Sequence, residues 1–147
     1  MMKIPCAALL FILASTVLAD GALRAFSSDG CSSFPDGTPS QKTLWRDCCV
    51  NHDLAYWLGG SYRARMQADT KLQQCVKALG RPTVATIMLA GVRAGGSPFW
   101  LTDYRWGYGW PYWQNGWPRG YRELTPAEAA YAQKMLLQNL SEIAPPK

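Results

Sequence analysis

Two neighbouring cysteines, Cys48 and Cys49, limit what this chain can fold into more than any other feature. Adjacent residues cannot easily reach disulfide geometry, so each is expected to tie the chain to a different place. The sequence holds five cysteines, and Cys6 falls in a segment that reads as an export signal. Lys3 is a short positive start, Pro5 to Val17 a mostly apolar run, and Val17-Leu18-Ala19 a small-residue cleavage pattern. The stretch is too short for a transmembrane helix. We therefore expect residues 1–19 to be a signal peptide and residues 20–147 a single exported domain, secreted or periplasmic. Cys31, Cys48, Cys49 and Cys75 remain, an even set in a compartment where disulfides form. The adjacent pair must then bond to Cys31 and Cys75, and both assignments stay open. A Cys/His zinc site is the weaker alternative.

With 147 residues, 48% of them hydrophobic and 17% charged, the chain suits one globular domain and is neither fibrous nor disordered. Its single histidine, His52, excludes any site needing two imidazoles. Fifteen Lys and Arg against ten Asp and Glu make the chain mildly basic, which favours anionic surfaces in general. Export makes nucleic acid an unexpected partner. We expect a monomer.

Turn chemistry at Ser27-Ser28-Asp29-Gly30 and Pro35-Asp36-Gly37 makes the first part of the domain loop-like. Thr38-Pro39-Ser40-Gln41 fits a capping box with proline at the first helical position, predicting a helix from there to about Leu58. Gly59-Gly60 ends it, and Ser61 caps a second helix reaching about Leu79. A short apolar helix is expected over Thr83 to Ala94, stopping at Gly95-Gly96-Ser97-Pro98. Residues 98–122 are an aromatic, Gly- and Pro-rich loop region without helical or strand periodicity. Thr125-Pro126-Ala127-Glu128 is another capping box, opening a C-terminal helix over 126–142. No strong strand is visible, so the fold class is mainly α.

On the first helix Trp45, Cys49, His52, Asp53 and Tyr56 share an arc of roughly 100°. A core-facing stripe is normally aliphatic, and this one carries a base, a carboxylate and two aromatics with polar tips. The second helix has a parallel anomaly, with Asp69 in the middle of the apolar face made by Tyr62, Met66, Leu72, Val76 and Leu79. A carboxylate buried there needs a partner. The imidazole of His52 on the facing helix is one candidate, and Arg65, one turn earlier, is the bland one.

These residues reach a known pattern. Cys48-Cys49-Val50-Asn51-His52-Asp53-Leu54-Ala55-Tyr56 resembles the active-site helix of secreted phospholipase A2, Cys-Cys-x-x-His-Asp-x-x-Tyr. Asp29-Gly30-Cys31-Ser32 is similar to the calcium-loop entry of the bacterial and fungal branch, and Ala68-Asp69 with Cys75 to its second catalytic helix. The resemblance covers residues 28–79. It implies two disulfide-linked antiparallel helices, with Cys31–Cys49 and Cys48–Cys75 as the bridges. It further implies that His52 activates a water for attack on a phospholipid ester, that Asp69 orients the ring, and that Tyr56 donates to Asp69. Asp53, with loop carbonyls around Gly30, Ser32 and Phe34, would hold Ca2+. Ser32-Ser33-Phe34 stand where the animal enzymes have glycines, so Asp29 or Asp36 is an alternative ligand.

The aromatic region divides the remaining readings. We expect Trp100, Trp106, Trp110, Trp113 and Trp117 mainly to cover a small helical core short of aliphatic residues. The competing use is an interfacial surface, where rings meet acyl chains and Arg105, Arg119 and Arg122 meet headgroups. The leading expectation is thus an exported calcium-dependent phospholipase A2-like hydrolase, acting at a phospholipid membrane or micellar surface. The alternative is a non-catalytic scaffold of the same type that binds lipid, glycan or protein through residues 98–122.

Overall fold

The structure, a computed structural model, describes residues 23–143. The expected signal peptide, Cys6 and the cleavage point after Ala19 lie outside the described residues. Four helices carry the fold: α1 (Arg46–Leu58), α2 (Tyr62–Ala78), α3 (Pro82–Gly95) and α4 (Pro126–Ile143). Between α3 and α4 runs the aromatic segment, with a minimal ribbon of β1 (Trp113–Gln114) and β2 (Trp117–Pro118). The mainly helical expectation holds, and the ribbon is an addition to it. Its strands pair antiparallel, Trp113 with Pro118 and Gln114 with Trp117. Its turn is Asn115-Gly116, both at positive φ, the dipeptide most favourable to a tight hairpin.

The first helix begins later than the capping box predicted. Thr38 Oγ1 does accept the Gln41 N–H at 3.0 Å, but Thr38 and Gln41 also exchange backbone bonds and close a turn on themselves. Trp45 then anchors backwards, its backbone N–H on Asp36 O at 3.0 Å and its indole on Pro35 O at 2.6 Å. These bonds hold residues 38–45 in turns, and helix geometry starts at Arg46. The other boundaries agree closely with expectation. Ser61 caps α2 by accepting from the Ala64 N–H, and Pro82 opens α3. Thr125 and Glu128 form the reciprocal capping box of α4, at 3.2 and 2.9 Å.

The disulfides are Cys31–Cys49 and Cys48–Cys75. The second fastens the start of α1 to the end of α2. Further along α1, His52 meets Asp69 and Tyr56 meets Arg65, so contacts step back along α2 as they advance on α1. The two helices are therefore antiparallel. Along α1, the residues before His52 join a core with Trp45, Leu72, Val76, Ala85 and Met88. Those after it join a second core with Leu23, Trp106, Tyr108, Trp110 and Ala132.

The aromatic segment has a specific job in that second core. An α-helix leaves its last four carbonyls without intrahelical donors. In α1, Ala55 O accepts from Gly59 N–H at 3.1 Å, Tyr56 O from Gly107 N–H at 2.6 Å, Trp57 O from Gly109 N–H at 3.2 Å, and Leu58 O from the Trp110 indole at 2.8 Å. Trp106 donates to Gly60 O at 2.8 Å. Such close backbone approach requires glycine. A Cβ on Gly59 would stand 2.8 Å from Gly107 Cα.

Trp106 and Trp110 are 2% and 3% exposed, in line with the core reading, and this removes these two from the competing interfacial surface. They are core residues whose polar edges finish a helix. Trp100, Trp113 and Trp117 are exposed. Arg105 and Arg119 are also buried, Arg105 donating to the Trp106, Gly107 and Trp110 carbonyls, so neither is a headgroup contact. Trp110→Phe should keep the apolar fill while leaving Leu58 O without its donor. We expect about 1–3 kcal/mol of lost stability in urea unfolding. A loss of only a few tenths would mean that the indole bond is not what ties the segment to α1.

Candidate active site

The sequence-predicted residues of α1 and α2 come together at one place. His52 Nε2 lies 3.0 Å from Asp69 Oδ1, and Tyr56 Oη donates to the same oxygen at 2.7 Å. Asp69 has no exposed surface, whereas His52 is 8% exposed. An ionised carboxylate only accepts hydrogen bonds, so Nε2 carries a ring proton, and in the neutral imidazole Nδ1 is the nitrogen with the lone pair. Burial, and then the charge of Asp69, push the Tyr56 phenol well above its usual range, so it remains a donor.

Two arginines absent from the predicted site complete the surroundings of Asp69. Arg93, from the last turn of α3, places Nε 2.9 Å from Asp69 Oδ2. Its N–H is not aimed at the oxygen, so Oδ2 has an ionic partner but no hydrogen bond. Arg65 stands 3.9 Å from the same oxygen, too far to be its main partner. Its guanidinium is spread elsewhere: Nε on Tyr56 Oη at 3.1 Å, Nη1 on Tyr121 Oη at 2.6 Å, and Nη2 on Val92 O and Arg93 O at 2.8 Å. It thereby caps the C-terminus of α3 with a cation, the favourable sign there. Helix phase places neighbours along one helix, and nothing in it reports that α3 returns to α2 at Asp69.

On the other side of His52 is a cleft of about 300 Å3. Its apolar wall includes Phe34, Leu72, Ile87, Met88 and Val92, with Gly91 and Gly95 on the same face of α3 as Met88 and Val92. No protein atom would meet a Cβ on either glycine, so both leave open space in the cleft. Gly96 is different, because a Cβ there would collide with the Tyr56 hydroxyl.

Gly30, Ser32 and Phe34 line the cleft together with Asp53. Ser28 donates to Asp53 Oδ2 at 2.6 Å, and His52 Nδ1 is 4.0 Å from Oδ1. Asp36 accepts the Cys31 N–H at 2.8 Å and lies 3.6 Å from Arg46, so it is engaged in shaping the loop. Asp29 accepts from Ser32 Oγ at 2.7 Å. Among the described residues no group of three or more His, Cys, Asp or Glu could hold a metal ion. Any ion at Asp53 would depend on backbone oxygens.

No family model matches the chain, and no curated protein or solved structure matches it either.

Asp53 titrates above the usual carboxylate range. Burial, opposed by the Ser28 bond and His52 and reinforced by Asp29 and Asp36, pushes its carboxyl up from 3.8 to about 6. Above pH 6 the folded protein must therefore hold a desolvated carboxylate that the unfolded chain ionises freely. The cost is fully present above the folded value and absent below the unfolded one. Asp53→Asn is expected to stabilise the protein at pH 8 by up to about 3 kcal/mol, the gain shrinking as pH falls from 6 towards 4. Calorimetric melting across that range checks it. A gap that does not change with pH would remove the claim.

Proposed function

We propose that the chain is an exported, calcium-dependent hydrolase of the phospholipase A2 type that cleaves an acyl ester of a glycerophospholipid with a His52-activated water. One observation carries this reading. The only imidazole in the chain is pinned through Nε2 by a fully buried carboxylate, leaving Nδ1 for an apolar-walled cleft. The antiparallel pairing of α1 and α2 and the bridges Cys31–Cys49 and Cys48–Cys75 agree with the resemblance.

In this reading an acyl chain lies along Phe34, Leu72, Met88 and Val92 with its ester near His52 and Asp53. Nδ1 takes a proton from water as the water oxygen attacks the ester carbonyl. Asp69 stabilises the imidazolium that forms, and Tyr56 keeps the carboxylate from turning away. His52 then returns the proton to the departing alcohol oxygen, and a fatty acid and a lysolipid leave.

Asp53 supports a hard cation at this place. Its carboxylate is partly buried with a neutral hydroxyl as its hydrogen-bond donor, and Gly30, Ser32 and Phe34 of the loop line the same cleft, where their backbone oxygens would complete the ligand set. Calcium, when bound, supplies positive charge that polarises the ester carbonyl and attracts the lipid phosphate.

Two disulfides fit an oxidising compartment, and no helix among the described residues is long and apolar enough to cross a membrane. A lipid surface as partner is supported by the exposed Phe99, Trp100, Leu101 and Tyr104, because Tyr104 and the exposed Ile87 also line the cleft. Trp113 and Trp117, exposed on the ribbon, favour a second reading as a lipid- or glycan-binding scaffold without catalysis.

Fatty-acid release from phosphatidylglycerol vesicles decides between them. The protein should release fatty acid with calcium and not with a chelator, and His52→Gln should slow it about 10²–10⁴-fold. Vesicle binding without release would replace the enzyme by the scaffold, and release unchanged by His52→Gln would overturn the reading of His52 as the base.

A further inference from the structure

The carboxylate of Asp69 has two oxygens, and the proposed chemistry uses only one. Oδ1 receives both the imidazole of His52 and the hydroxyl of Tyr56, at 3.0 and 2.7 Å. Left alone, a carboxylate turns about its last bond and exchanges oxygens. A competing acceptor waits at the other end of the ring, since Asp53 Oδ1 is 4.0 Å from His52 Nδ1. If Asp69 drifts, the ring proton can move to Nδ1, and the nitrogen facing the cleft loses its lone pair.

We propose that Arg93 is a positioning residue for the His52–Asp69 pair, holding Asp69 Oδ2 so that Oδ1 stays on Nε2 and the ring keeps the tautomer in which Nδ1 is free. The proposal rests on the reading of His52 as the base, and adds to it a part that comes from α3.

The geometry makes Arg93 suited to this. Nε sits 2.9 Å from Oδ2, which has no hydrogen bond of its own and no exposed surface. One end of its fork is fixed independently, Nη2 donating to Met66 O at 3.1 Å and lying 3.4 Å from Thr70 Oγ1. The cation is thus braced against α2, the helix that carries Asp69. Arg65 removes the alternatives from the other side. By donating to Tyr56 Oη and occupying Val92 O, it leaves the Tyr56 hydroxyl hydrogen with Asp69 as its better acceptor, since Val92 O is 3.4 Å away. Arg93 and the cleft-lining Met88, Gly91, Val92 and Gly95 share α3, so the wall of the cleft and the brace on Asp69 are one element.

The side chain of Arg93 is 37% exposed, so its removal should not open a cavity. The test uses Arg93→Gln, Arg93→Ala and Arg93→Lys in the full chain, each also combined with Asp69→Asn. The single histidine gives one imidazole in a nitrogen NMR spectrum at fixed pH, free of overlap. The unsubstituted protein should show the proton on Nε2. Arg93→Gln and Arg93→Ala should show it shared between the two nitrogens, and Arg93→Lys should restore the original pattern. In vesicle hydrolysis, the two truncations should lower kcat roughly 10–100-fold with KM unchanged, and should cost nothing further once Asp69 is Asn. An unchanged imidazole spectrum in folded Arg93→Gln, or an equal rate loss with and without Asp69, would overturn the proposal. So would loss of the fold in both truncations with recovery in Arg93→Lys, because the ion pair would then be structural only. Absence of hydrolysis by the unsubstituted protein would sink the enzyme reading alone, and the tautomer measurement would still decide the role of Arg93.

Discussion

A charge with no exposed surface organises this molecule. Asp69 sits in the interior of a small helical protein, where an unpaired carboxylate would be untenable. Its partners come from three helices: His52 and Tyr56 on α1, Arg65 on its own helix, and Arg93 on α3. The spacing of α1, α2 and α3 is set in part by the requirement that all of these side chains reach two oxygens. Polar satisfaction at one residue thus acts as an architectural constraint, and the apolar clusters on either side fill in around it.

The second constraint is the end of α1. His52 and Tyr56 keep their orientation only if the helix stays wound through its last turn, and that turn depends on donors supplied by residues 107–110. The aromatic segment is therefore coupled to the site mechanically. Tyr121 extends the coupling by accepting from Arg65, which in turn donates to Tyr56. A chain with few aliphatic residues in this region achieves a rigid helix end with indoles and glycines, using ring area for packing and N–H edges for the carbonyls.

What could be read from the sequence was what is local or repeats along one helix. The shared face of Cys49, His52, Asp53 and Tyr56, the odd carboxylate at Asp69, the Ser61 cap and the Thr125–Glu128 box all depend on residues within a few turns. They appear where expected. The start of α1 was not legible, because the Thr38 box is outcompeted by Trp45 reaching back to Pro35 and Asp36. The burial of Trp106 and Trp110 was anticipated only for the aromatic group as a whole. Which rings go inside is decided by the carbonyls of Leu58 and Gly60, far away in sequence. Arg93 and Ser28 carried no local sign of their roles beside Asp69 and Asp53, since each meets its carboxylate across the fold.

The placement of the disulfides has a consequence for the cleft. Both bridges lie within the unit made of the loop, α1 and α2, which supplies Phe34, His52, Asp53 and Leu72 to one side of the cavity. The opposite side, with Met88, Val92 and Gly95, belongs to α3, which neither disulfide reaches. The cavity therefore has one welded jaw and one jaw held by packing of Ala85 and Met88 with Leu72 and Val76, together with Arg65 on the carbonyls of Val92 and Arg93 and Arg93 on Asp69. The wall that carries no disulfide is thus tied, through Arg93, to the same buried carboxylate that holds His52.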